Sequence, residues 1–233
     1  MFIALFTYQQ VSQFESIHLL TIFICILCFF LIPYFGKKLT RDKQRTVSIL
    51  LAIIGISEEI LDYSNRIYFR DLSWHEDLPL HICNYVFYIG IIYMLTKKQF
   101  LFEILYLLGL GAAFITIITP EFKMLNTLEY ALFFLAHGLI VVYALWGIFV
   151  DNKRPRKISV LKVYLFLWTM VLPVGLVSWV TDGNYMFLMQ APEVSNPLVF
   201  GNWPWYIFNV SFIGLFIMTI AYLPFKFIVT LKK

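Results

Sequence analysis

The stretch Leu78-Pro-Leu-His-Ile-Cys-Asn84 puts an imidazole, a thiol and an amide at the head of a hydrophobic run. Polar groups inside a bilayer are costly, so where they occur they usually serve a site. A thiol paired with an imidazole suggests nucleophilic catalysis: the histidine takes the Cys proton, and the thiolate attacks an acyl carbonyl. A carboxylate or amide would then orient the ring. His81 and Cys83 are two residues apart, about 200° round a regular helix, which makes a direct dyad awkward. Pro79 can leave the first turn irregular, so that dyad stays open beside a pairing of Cys83 with His137. Taken singly, Cys83 reads as packing sulfur and His137 as a hydrogen-bonded core histidine. The catalytic reading rests on their joint occurrence with carboxylates in one half of the bilayer.

Those carboxylates lie in Glu58-Glu59-x-x-Asp62-x-x-x-Arg66. Glu58, Asp62 and Arg66 recur at i, i+4, i+8 and form one helical stripe, bordered by Ser57 and Tyr63. Charges at this depth must face the bundle interior and pair. The plain structural account is an Asp62–Arg66 salt bridge that fixes helix register. Glu58 and Glu59 are adjacent, so they cannot point the same way. Further on, His81, Asn84, Tyr85 and Tyr88 lie on or near one face. His137 falls about nine residues into its own run, beside Gly138, a residue that would let another helix approach closely. Glu58, Asp62, Arg66, Asn84 and Tyr88 are therefore candidates to orient groups or bind a headgroup.

The elements that position these residues follow from composition. Of 233 residues, 61% are hydrophobic and only 14% charged, against about 45–50% apolar and about 25% charged in a soluble domain. An integral membrane protein is expected. A spanning helix needs about 20 mostly apolar residues, and seven runs qualify: 17–36, 47–69, 79–96, 101–119, 128–150, 159–181 and 204–230. The expected fold is all-α, one domain over 1–233, a bundle of seven transmembrane helices. Lys37, Lys38, Arg41, Lys43 and Arg45 follow the first run; Lys97 and Lys98 follow the third; Lys153, Arg154, Arg156 and Lys157 follow the fifth; and Lys226, Lys232 and Lys233 close the chain. The alternate connections hold Asp71, Glu76 and Asp77, then Glu121 with Lys123, then Asp182 and Glu193. Positive-inside places the N-terminus outside and the C-terminus in the cytoplasm, with the plasma membrane as the expected location. Segment 182–203 is long and rich in Gly, Pro, Asn and aromatics, which suits a lid or an interfacial segment anchored by Trp203, Trp205 and Tyr206.

Several function classes fall away or weaken. The net charge of +4 comes from lysine and arginine clusters between apolar runs, not from one basic face, so no nucleic-acid partner is expected. Cys25, Cys28 and Cys83 all lie in apolar runs, which implies no disulfide framework. Cys25-Ile-Leu-Cys28 has redox spacing, but no charge nearby would activate a thiol. The first strong apolar run starts only near Ile17, without a basic leader, so a signal peptide is not expected. A retinal protein would need a mid-helix lysine in the last run. A zinc hydrolase would need a third ligand beside His81 and His137, from Glu58 or Asp62. A proton-coupled transporter remains open, although no inverted repeat is visible. No metal or cofactor is called for, and the sequence leaves the oligomeric state open.

Five segments resemble the YwaF family of bacterial integral membrane proteins. They are Leu78-Pro-Leu-His-Ile-Cys83, Gly109-Leu-Gly…Ile118-Thr-Pro-Glu121, Phe133-Phe-Leu-Ala-His-Gly138, Gly183-Asn-Tyr-Met-Phe187 and Gly201-Asn-Trp-Pro-Trp-Tyr206. That family is distantly similar to an animal multipass acyltransferase that moves a polyunsaturated acyl chain onto lyso ether phospholipids. The resemblance implies that Cys83 is the acyl-accepting thiol and His137 its base, with a phospholipid or lysophospholipid as partner.

Overall fold

The computed structural model describes residues 12–120, 124, 126–192 and 199–230. Glu121, Lys123, Glu193, Lys232 and Lys233, used above for orientation, lie outside them. Among the described residues the regular structure is helical throughout. The helices are α1 (Ser16–Lys38), α2 (Arg41–Phe69), α3 (Ile82–Thr96), α4 (Gln99–Ile118), α5 (Thr127–Phe149), α6 (Ser159–Thr181) and α7 (Trp205–Thr230). One π turn, Leu105–Gly109, interrupts α4.

Each of the seven expected runs coincides with a helix. Five of them, α1, α4, α5, α6 and α7, are long and apolar enough to cross a membrane. The chain is a multipass membrane protein. α2 has 29 residues but carries charge at both ends and along its middle, and α3 has only 15. α3 begins three residues later than its apolar run. Pro79 has no N–H to donate and disfavours helical geometry at Leu78. Leu80 N–H instead bonds the Leu78 carbonyl at 2.8 Å, and the His81 carbonyl accepts from Asn84 N–H at 3.0 Å to open the helix.

The described residues divide into two compact units, Met1–Asp71 with Val86–Lys153, and Leu72–Tyr85 with Arg154–Lys233. In the first, α5 is the central element, with an almost continuous buried run from Leu139 to Trp146 except for Leu145. Tyr143 shows how it packs. Its hydroxyl donates to the Leu51 carbonyl of α2 at 2.8 Å. A Cβ at Gly55 or at Gly90 would lie 2.6 Å from the Tyr143 side chain, so these two glycines let the ring wedge between α2 and α3. At the far end of α5, Asp151 accepts from Tyr93 at 2.7 Å and pairs with Lys97 at 2.9 Å. Burial pushes the Lys97 ammonium below its ordinary range, and Asp151 partly opposes that shift.

The second unit contains α6 and α7, which expose large apolar side chains such as Leu172 and Phe212, as helices bathed in lipid should. The segments that join and precede these helices are tightly built, and they bear on the site.

Candidate functional site

In the second unit Tyr185 is the organising side chain, completely buried in the turn after α6. Asp182 ends α6 in the left-handed conformation, and Gly183 N–H closes onto the Ser178 carbonyl at 2.8 Å. Glycine is required there because a Cβ would meet the His75 carbonyl at 2.7 Å. The Tyr185 hydroxyl donates to the Trp74 carbonyl at 2.7 Å and accepts from Leu78 N–H at 3.1 Å. It thereby stitches 182–192 to the segment that leads into α3. Burial pushes its phenol up, which keeps the donating proton in place.

The His81 ring packs against Tyr185 and Phe187, with centroids 5.6 Å away in each case. The Phe187 carbonyl accepts from Tyr206 at 2.5 Å, and the Leu188 carbonyl from the Trp203 indole at 3.0 Å. Asn184 holds the same turn from inside: its carbonyl oxygen accepts from Met189 and Gln190 N–H at 3.1 and 3.0 Å. The described part of 182–203 is thus an ordered piece of structure around His81. Cys83, half-buried, sits in the first turn of α3, one residue after Ile82. In that turn the Asn84 and Tyr85 N–H groups bond the His81 carbonyl at 3.0 and 3.3 Å, and the positive end of the helix dipole lies beside them.

In the first unit the α2 stripe resolves into separate roles. Asp62 and Arg66 pair at 2.8 Å, the i, i+4 bridge expected from their spacing. Glu59 turns the other way and accepts from the Tyr88 hydroxyl of α3. Glu58 is buried, and its Oε2 has no hydrogen-bond partner among the described residues. His137 lies on α5 with Nδ1 2.8 Å from the Phe133 carbonyl. A carbonyl can only accept, so Nδ1 carries a proton, and in the neutral ring Nε2 is then the acceptor. His137 is six residues from Tyr143, about 120° away round the helix, so the two do not share a face.

Cys83, His81 and Asn84 therefore belong to one unit, and Glu58, Asp62, Arg66, Tyr88 and His137 to the other. Along α3, Asn84 and Tyr88 share a face at i, i+4. Among the described residues, no three His, Cys, Asp or Glu side chains gather as a metal site would need. The zinc reading finds no ligand set there.

A family model, TMEM164 family, matches residues 6–222. The chain belongs to the TMEM164 family. A relative in this comparison is an uncharacterized protein of Treponema pallidum (strain Nichols), 25% identical over 232 residues, covering 92% of this chain and 90% of the relative. No solved structure matches. The match takes in α1 to α6 whole and α7 as far as Tyr222. The likeness to the Treponema protein adds no chemistry, since that protein is uncharacterized.

Sequence reasoning overlooked several buried polar groups of this TMEM164-family chain. His18, fully buried near the start of α1, accepts from Phe14 N–H at 2.9 Å and reaches the Ile117 carbonyl at 3.0 Å. Glu103, also fully buried, takes a hydrogen bond from Gln99 at 3.0 Å. The i, i+4 spacing of Gln99 and Glu103 was the available signal. Lys97 read only as a topology marker, yet it is half-buried on Asp151 and Ser48.

Proposed function

We propose that this TMEM164-family protein is a phospholipid or lysophospholipid acyltransferase, or a transacylase, with Cys83 as nucleophile. The observation that carries the reading is the late start of α3, which puts Cys83 in the first turn of a helix, at the positive end of its dipole. The resemblance to YwaF-type proteins supports the same residue. His137, whose Nδ1 is committed to a backbone carbonyl, is the proposed base through Nε2, with His81 as the alternative. Glu58, Asp62, Arg66, Asn84 and Tyr88 would orient groups or bind the headgroup.

The chemistry balances without a cofactor. The imidazole takes the Cys83 proton, and the thiolate adds to the ester carbonyl of a donor phospholipid. The ester C–O bond breaks, the imidazolium returns the proton to the departing alkoxide, and lysophospholipid leaves behind a Cys83 thioester. The acceptor lysophospholipid hydroxyl then loses its proton to the imidazole and attacks the thioester. The C–S bond breaks, and Cys83 is regenerated. This work would take place in one domain of seven spans, N-terminus outside, in the plasma membrane.

Purified protein in phospholipid nanodiscs, given a labelled donor phospholipid and an acceptor lysophospholipid, tests the proposal. Wild type should transfer label and Cys83→Ser should not. Undiminished transfer by Cys83→Ser would end the covalent mechanism. One observation favours a second reading: the buried, unpartnered Oε2 of Glu58 suits a proton-coupled carrier. That reading expects pH-dependent uptake into proteoliposomes that survives Cys83→Ala and fails with Glu58→Gln.

A further inference from the structure

Within the first unit, α1 and α5 do not close against each other along their whole length. They leave a groove of about 340 Å³ whose lining runs from Thr21 to Ile32 on α1 and from Tyr130 to Val142 on α5. We propose that this groove seats a single acyl chain of a bilayer glycerophospholipid, entering sideways from the membrane.

Dimension, polarity and access each narrow the occupant. At about 1.5 Å per residue the α1 wall is about 16 Å long, close to one leaflet of a hydrocarbon core about 30 Å thick. A volume of about 340 Å³ is at the low end of ligand sites, which run from about 300 to 1,000 Å³, so it fits one chain and not a whole lipid. Except for one hydroxyl pair, the lining is apolar side chains, the thiols of Cys25 and Cys28, and Gly138. That pair is at one end, where Tyr130 donates to Thr21 at 3.0 Å and Thr21 donates to the Ile17 carbonyl at 2.9 Å. Thr21 is five residues from the start of α1, so the polar end of the groove is the end near the headgroups. The described lining carries no charged side chain, so the groove takes the hydrocarbon of a bilayer lipid while its head stays at the interface. The rim residues Ile24 and Leu135 are 51% and 40% exposed, so a chain can slide in from the bilayer without crossing a polar surface.

Gly138 is the residue that holds the groove open. The sequence suggested that it lets helices touch, but a Cβ there would meet nothing nearer than Cys25 Sγ at 3.9 Å. Alanine fits this space without strain, whereas a phenyl ring would occupy the groove. The site stands independently of Cys83 chemistry, and its test reads no enzymatic activity.

The protein is reconstituted in phosphatidylethanolamine vesicles doped with the same lipid carrying a mid-chain diazirine, irradiated, and the crosslinked peptides are mapped. Crosslinks should concentrate on 21–32 and 130–142 over the lipid-exposed faces of α6 and α7. They should persist in Gly138→Ala and fall at least tenfold in Gly138→Phe, with crosslinks to α6 and α7 unchanged. Mapping on wild type decides even where Gly138→Phe fails to fold: label spread evenly over all lipid-facing helices overturns the proposal. In a parallel arm with diazirine-bearing palmitate, labelling of the groove by the free acid and not by the phospholipid also overturns it.

Discussion

The two units satisfy their buried polar groups in different ways. In the first, charged side chains meet side chains, Asp62 with Arg66, Glu59 with Tyr88 and Lys97 with Asp151, while Tyr143, His18 and His137 reach carbonyls of regular helices. In the second, side chains hold backbone. Tyr185 ties to Trp74 and Leu78, Tyr206 to Phe187, Trp203 to Leu188, and Asn184 to Gln190. The difference follows from what surrounds each group. A regular helix in lipid has already paired its own backbone, so a polar side chain must find another side chain or a free carbonyl. Turns such as 72–81 and 182–192 leave N–H and C=O groups over, and the buried Tyr185 and Tyr206, the half-buried Asn184 and the exposed Trp203 take them up. The first arrangement fixes helix register. The second fixes the shape of the chain around His81 and the start of α3.

That contrast predicts where damage is greatest. Tyr185→Ala removes a fully buried ring and frees two backbone groups, so a loss of about 3–5 kcal/mol is expected. Hydrogen exchange should rise across 72–81 and 182–192, with α2 and α5 unaffected. Protection lost equally in α2 and α5 would break the distinction between the two units. Next comes Asp151→Ala, which leaves the Lys97 ammonium half-buried without its carboxylate. Because that ammonium stays partly solvated, about 2–3 kcal/mol is expected, below the full cost of breaking a buried pair.

This lesion carries a pH signature. The folded-state value of Lys97 is depressed below the ordinary 10.5, so the unfolded chain binds more protons between those two values. Stability should therefore climb as pH rises through that window. Removing Asp151 removes what held the Lys97 value up, so in Asp151→Ala the climb should begin at a lower pH. Thermal unfolding in detergent between pH 7 and 10.5 measures it. Identical profiles for wild type and variant would mean that the pair does not govern Lys97.

The same contrast explains what could be read from the sequence. Seven apolar runs located seven helices, and i, i+4 spacing located Asp62–Arg66, because helical periodicity reports which residues share a face of one element. Adjacent Glu58 and Glu59 diverge for the same reason. Periodicity reports nothing about which turn folds back on which. The Tyr185 bonds to Trp74 and Leu78 span more than one hundred positions, so nothing local in the sequence marks them. The start of α3 shows the boundary case. Pro79 warned of an irregular turn, but hydropathy ran through it, and the shift of three residues changes the position of Cys83 from second turn to first. His18 was passed over because a single histidine near the head of an apolar run has no periodic partner.

The smallest expected effect tests the side-chain arrangement at its most local. Tyr88 donates to Glu59 between α3 and α2, and both are half-buried. Tyr88→Phe keeps the ring and removes only the hydroxyl, and a hydrogen bond to a charged partner contributes about 1.5–3 kcal/mol, less where water reaches it. A loss of about 1 kcal/mol is expected, matched by Glu59→Gln. In the double variant, if the two act only through each other, the loss should be about that of either single change, giving a coupling energy near 1 kcal/mol. Simple additivity in that cycle would show that each residue is held by other neighbours, and that register at this depth rests on the Tyr143 wedge.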